Sequence, residues 1–195
     1  MKPPPLILAS LSPRRRELLG LLALDFEVIP SHADESLIPG EAPREHVARL
    51  SKAKATAVGR THQDRWIIGA DTIVFIDGII LGKPQDKNEA ADMLCRLSGR
   101  EHTVMTGFCI YREDAEVSII NVVESFVKVK DLSEREIIGY IETGEPFDKA
   151  GGYAIQGIGM FMVEKVRGSY TNVIGLPMCE VVNALKQMGA IRFLE

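Results

Sequence analysis

The sequence is short of the residues that mark the commoner catalytic and structural sites. Its three cysteines, Cys95, Cys109 and Cys179, are widely spaced and include no Cys-x-x-Cys pair. That argues against a disulfide or zinc framework and suits small buried residues of a reducing compartment. The four histidines, His32, His46, His62 and His102, show no His-x-x-x-His pairing, which speaks against a zinc centre. There is no Gly-x-Ser-x-Gly elbow for a serine hydrolase, and no glycine-rich stretch continues into Gly-Lys-Ser/Thr as a Walker loop does. No apolar run approaches the roughly 20 residues that span a bilayer. The apolar stretch Leu6–Ala9 is short for a signal peptide and is followed by arginines. The net charge of -4 argues against the broad basic surface that a nucleic-acid partner requires. The expectation is a cytoplasmic protein with no membrane and no nucleic acid as partner.

What is present is ordinary in bulk. A chain of 195 residues, 46% hydrophobic and 26% charged, fits one domain over 1–195, or one core with two lobes across a cleft. There is no internal repeat, low-complexity tract or inter-domain linker. The stretch that organises the rest is Leu6 to Leu19. Leu6–Ala9 reads as a buried strand, Ser12 as an N-cap, Pro13 as a first helical residue, and Leu18, Leu19 and Leu22 as one helical face. Free backbone N–H groups and the positive end of the helix dipole therefore meet Ser10, Ser12, Arg14, Arg15 and Arg16. This combination suits an anion, phosphate best of all. The plainer reading is a solvated arginine face, but cations in a first helical turn are unfavourable unless something negative compensates.

Further along, the pattern predicts a strand over 26–29, a loop over 30–42 that carries Asp34 and Glu35, and a helix from Pro43 to about Val58. On that helix Val47, Leu50, Ala57 and Val58 share a face with Lys54 in its middle, while Lys52 points away. A lysine so placed either snorkels to the surface or meets an anion. Trp66–Ile76 reads as a central strand with a break at Gly69, followed by a two-residue Asp77-Gly78 hairpin into Ile79–Leu81. Asp71 is the anomaly of that run. It either faces solvent at a bulge or is a functional carboxylate, since burial needs a partner. Lys83 emerges from a strand end. A helix follows from Asp86 and Glu89 to Ser98-Gly99, then strands over 102–112 and 117–129, and a helix opened by the Ser133/Glu136 capping box. Residues 143–159 hold five glycines and read as a ligand-approaching loop to which Glu145, Asp148, Lys149 and Gln156 could contribute. A strand over 160–166, a turn over 168–172 and a helix from Pro177 to Met188 complete the chain.

If the cations Arg14, Arg15, Lys54 and Lys83 converge with Asp71 and the acidic pair Asp34 and Glu35, they form a site for hydrolysing a phosphoanhydride. Cations neutralise the polyphosphate, and carboxylates orient water and hold a hard divalent ion.

Six blocks in order carry a resemblance. They are Leu8-Ala-Ser-Leu-Ser-Pro-Arg-Arg-Arg-Glu-Leu-Leu19, Gly69-Ala-Asp-Thr-Ile-Val74, Gly82-Lys-Pro84, Leu97-Ser-Gly-Arg-Glu-His102, Asp148-Lys-Ala-Gly-Gly-Tyr-Ala-Ile-Gln-Gly157 and Gly168-Ser-Tyr-Thr-Asn-Val-Ile-Gly-Leu-Pro177. Together they resemble the motif set of the Maf family of nucleoside triphosphate pyrophosphatases. The resemblance implies a mixed α/β fold with a long bent central sheet, flanking helices and a cleft between two lobes. It implies cleavage between the α and β phosphates, with Asp71 as the base that activates water and a divalent metal, Mg²⁺ or Mn²⁺, as helper. Ser10, Arg14, Arg15, Lys54 and Lys83 match positions of the phosphate site, and Glu35, with Asp71, a candidate metal ligand. Arg14, Thr72 and Gln156 resemble the subtype that takes dTTP and UTP, whose base edge suits the donor and acceptor of a glutamine amide. The alternatives are the 7-methyl-GTP subtype and a non-catalytic nucleotide sensor of cell division. The family further implies a homodimer, a role against modified pyrimidine nucleotides and a link to septum formation. Gly152 departs from the pattern, where alanine is frequent.

Overall fold

A computed structural model of the chain describes residues 6–194. Among them the order of elements is β1 (Leu6–Leu8), α1 (Pro13–Gly20), β2 (Phe26–Val28), α2 (Pro43–Gly59), β3 (Trp66–Ile76), β4 (Ile79–Leu81), α3 (Lys87–Leu97), β5 (Glu101–Arg112), β6 (Val117–Val129), α4 (Glu134–Glu142), β7 (Val163–Arg167), α5 (Tyr170–Ile174) and α6 (Met178–Gln187). The fold is mixed α/β. The strands order as β2-β1-β3-β5-β6-β7, with β4 paired to β3.

The chain divides into two compact units. The first comprises residues 1–71, 106–123 and 175–195; the second comprises 72–105 and 124–174. In the first, β1 runs parallel to β2 on one side and to β3 on the other, with Leu8 opposite Val28 and Ile68. Strands flanked by parallel neighbours are buried on both faces and read as unbroken apolar runs, as Leu6, Ile7 and Leu8 do. Ile7, Ala9, Ala55, Val58, Ile67 and Cys109 form a core cluster here. Helix α2 lies on it through two glycines. A Cβ on Gly69 of β3 would overlap the Ser51 carbonyl oxygen, and one on Gly107 of β5 would overlap the Val47 carbonyl. Gly69 is therefore no break. The strand is continuous from Trp66 to Ile76, and the glycine is what lets a helix backbone approach it.

The second unit has its own core, built from Val74, Leu81, Leu94, Leu97, Val104, Val127, Ile137 and Tyr140 among others. Asp77 and Gly78 both take positive φ, 53° and 76°, as a tight hairpin turn into β4 demands. Ser133 Oγ accepts from Glu136 N while the Glu136 carboxylate accepts from Ser133 N, completing the expected capping box. Asp86 caps α3 by accepting from Glu89 N at 2.9 Å. Two expectations fail in this unit. The strand expected from Met160 begins only at Val163, because Ile158–Met162 winds as a 3₁₀ turn. The turn expected over 168–172 gives way at Tyr170 to a short helix, Tyr170–Ile174. No helix among the described residues is long and apolar enough to cross a membrane.

Candidate functional site

The chemistry of the first unit gathers beyond the carboxyl end of β1. The chain leaves the strand with Ala9 N still bonded to Ile68 O at 2.8 Å, then turns through Ser10. Ser10 Oγ accepts from Ser12 N at 3.2 Å, and Ser12, the N-cap of α1, accepts weakly from Arg15 N at 3.4 Å. The three arginines then part company. Arg16 is exposed, Arg14 half-buried, and Arg15 turns into the protein with 8% exposure. Arg15 Nε donates to Gly175 O at 2.7 Å, and its Nη1 donates to Ala70 O at 2.9 Å and to Ser10 Oγ at 3.2 Å. One guanidinium thus ties together the turn after β1, the middle of β3 and the segment before α6. Burial pulls the Arg15 pKa below its ordinary value, with Asp71 opposing and Arg14 assisting.

Asp71 settles between its two readings in the same way. It is 7% exposed, so it does not face solvent at a bulge. Its partner is Lys54, 6% exposed, whose Nζ donates to Asp71 Oδ1 at 2.8 Å. Asp71 lies two residues beyond Gly69 and so on the same face of β3. The close approach of α2 at Gly69 is what carries Lys54, between Ser51 and Ala55, onto it. Lys54 Nζ also meets Glu35 Oε1 at 3.0 Å. Two carboxylates therefore converge on one ammonium.

Sequence reasoning missed the frame that presents Glu35. Glu41 accepts from Arg49 Nε at 2.6 Å and Nη2 at 2.7 Å, and its Oε2 lies 3.0 Å from His46 Nδ1. The Arg49 hydrogen bonds, with His46 adding to them, bring the Glu41 carboxyl down to about 2. Arg49 Nη2 also donates to Ser36 O at 3.2 Å, and Asp34 Oδ1 accepts from Ser36 N at 2.9 Å. The segment around Glu35 is thereby strapped to α2, and Asp34 serves the strap. A signal for part of this was available: His46, Leu50 and Lys54 are four residues apart, so an inward Lys54 implied an inward His46.

The remaining predicted residues lie in the second unit. Thr72 is half-buried in β3, Lys83 is exposed just after β4, and Gln156 is half-buried in the glycine-rich segment. That segment is a chain of short turns, Glu145–Asp148, Ala150–Gly152 and Ile158–Met162. Gly151 N donates to Gly82 O at 2.9 Å, next to Lys83. Glu145 and Lys149 are turned to the segment's own backbone: Lys149 Nζ donates to Glu145 O at 2.7 Å.

Among the described residues no group of three or more His, Cys, Asp or Glu side chains is placed to hold a metal ion. Asp71 and Glu35 fit a divalent cation in a more limited way. Both are hard oxygen donors at a point that already accommodates positive charge, and Mg²⁺ commonly uses one or two carboxylates and fills its shell with water and phosphate.

A charged cluster beyond the carboxyl end of a parallel strand, where open α/β sheets place their ligands, marks the candidate site of a mixed α/β protein. The chain matches the family described as Maf-like protein over residues 5–188, and it belongs to that family. It is 54% identical over 188 residues to a protein of Syntrophus aciditrophicus named dTTP/UTP pyrophosphatase, covering 96% of this chain and 92% of that one. A protein of the same name from Geotalea uraniireducens is 53% identical over 186 residues, covering 95% and 96%. Another from Citrifermentans bemidjiense is 49% identical over 191 residues, covering 98% and 99%.

Proposed function

We propose that the protein is a nucleoside triphosphate pyrophosphatase that hydrolyses dTTP and UTP to the nucleoside monophosphate and pyrophosphate. The observation that carries this reading is the Asp71–Lys54 pair, buried side by side at 2.8 Å in a chain half-identical to proteins of that name. Lys54 fixes Asp71 Oδ1 and leaves Oδ2 to take a proton. In the proposed step a water gives its proton to Asp71 as its oxygen bonds to phosphorus. The bond from that phosphorus to the oxygen bridging the α and β phosphates breaks, and the leaving phosphate departs with the bridging oxygen and its electron pair. Arg14 and Lys83 neutralise phosphate charge, Ser10 and Arg15 shape the turn that receives it, and Thr72 and Gln156 select the base. Asp71 and Glu35 are the residues that would hold Mg²⁺ or Mn²⁺, whose charge would stabilise the leaving phosphate oxygens.

The test is pyrophosphate release from a panel of triphosphates. UTP and dTTP are expected to lead ATP and GTP in kcat/KM. Tight UTP binding without release would replace the enzyme with a nucleotide sensor. As a member of this family the chain is proposed to act as a cytoplasmic homodimer, which sedimentation at micromolar concentration tests.

A further inference from the structure

The glycine-rich segment of the second unit is closed on itself by one carboxylate. Glu145 stands at its start. Glu145 Oε1 accepts from Gly159 N and from Tyr140 Oη, both at 2.9 Å, and Oε2 accepts from Ile158 N at 2.9 Å. Burial opposes ionisation of Glu145, but the two amides and the tyrosine outweigh it and the pKa falls below its ordinary value. The closure depends on glycine at the far end. Gly157 has φ 76° and ψ -152°, a conformation essentially restricted to glycine, and a Cβ there would stand 2.6 Å from Glu145 Oε2. The near end of the same span is fixed independently. Tyr153 is buried with its Oη 2.7 Å from His102 Nε2, and Gly151 N is bonded to Gly82 O.

Between these anchors lie only Ala154, Ile155 and Gln156, and Gln156 adjoins Gly157. We infer that Glu145 is a positioning residue for base selection: it clips the segment shut so that the Gln156 amide is presented in one orientation. This rests on the proposal that Gln156 reads the base. An amide discriminates between bases only when its donor and acceptor are held in place, since a mobile amide can turn to suit the wrong edge. Glu145, which the sequence offers as a ligand-facing acid, is instead spent on holding its neighbour.

The experiment compares kcat/KM for UTP and GTP, with thermal melting, in Glu145→Ala, Glu145→Gln and Gln156→Ala. Glu145→Ala is expected to lower the UTP:GTP ratio about tenfold, and Glu145→Gln, which keeps one acceptor oxygen, by about threefold. A purely structural carboxylate would lower the melting temperature and leave the ratio alone. If Gln156→Ala abolishes the preference while both Glu145 variants keep the parent ratio, the clip is overturned and the base-reading role of Gln156 stands. If Gln156→Ala keeps the preference, the base-reading role is wrong and the clip's role in selection falls with it. Should Glu145→Ala not fold, the Glu145→Gln ratio alone decides.

Discussion

In the first unit the side chains proposed for catalysis sit on regular elements and are held by charged hydrogen bonds. Lys54 on α2 meets Asp71 on β3, and Arg15 on α1 meets two carbonyls and a serine. In the second unit Gln156 sits on a run of short turns held by backbone amides that converge on one carboxylate. The first arrangement is stiff and costly: buried charges demand complete pairing, so each group is committed. The second costs less electrostatically and depends on a backbone conformation at Gly157 that is essentially confined to glycine. The phosphate chemistry proposed for the first unit, the same for every nucleotide, suits the stiff arrangement. The base choice proposed for Gln156 suits the one that a few loop residues can reset.

The largest effect expected from breaking the first arrangement is on turnover. Asp71→Asn should lower kcat for UTP about a thousandfold, within the range for loss of a general base, with UTP affinity by calorimetry changed far less. A loss of under tenfold would remove Asp71 from the proton transfer. Next comes Arg15→Met, which strips partners from Gly175 O, Ala70 O and Ser10 Oγ. It should cost about 3 kcal/mol of folding stability by urea titration. Arg14→Ala, on the neighbouring and half-buried residue, should instead reduce kcat/KM with little change in stability. Equal stability losses for the two arginines would erase the distinction between a tie and a substrate contact.

That pair of arginines shows how far the sequence could be read. The Ser12-Pro13 helix start, the inward Lys54, the Asp77-Gly78 hairpin and the Ser133/Glu136 box were all legible, because spacing of a few residues determines them. Which arginine turns inward was not. Arg14 and Arg15 differ by about 100° of helix rotation, and the carbonyl that decides between them belongs to Gly175, 160 residues away in sequence. The glycine-rich segment was legible only as irregular. Its turns are three to five residues long, too short for periodicity, and Glu145 could be recognised as a backbone acceptor only once Ile158 and Gly159 were brought to it. The same shortness hid α5 and displaced the start of β7 from Met160 to Val163.

Breaking the second arrangement should cost less. Gly157→Ala forces a Cβ into a conformation essentially confined to glycine, worth about 1–3 kcal/mol, with a further contact at 2.6 Å from Glu145. Melting should show the loss. Gly20→Ala, in a helix where an added Cβ meets nothing within 4 Å, is the contrasting control and should be neutral or slightly stabilising. If both alanines behave alike, backbone conformation is not what holds the segment.

The smallest effect at neutral pH belongs to His102, which anchors Tyr153. Burial depresses its pKa to about 4, below the ordinary 6.5 expected in the unfolded chain. Between those values the unfolded chain binds a proton that the folded protein refuses, so stability rises with pH across the window. The contribution is complete above about pH 6.5 and is lost as pH falls towards 4, by about 3 kcal/mol at the lower end. His102→Gln keeps a polar group within reach of Tyr153 Oη but has nothing to titrate. Urea titrations from pH 7 to 4 should therefore show a shallower decline in the variant than in the parent. Parallel declines would mean that His102 takes up its proton in the folded state. Its Nδ1, buried without a hydrogen-bond partner, would then have to donate to something that moves to meet it, and the anchor on the near side of Gln156 would loosen in acid.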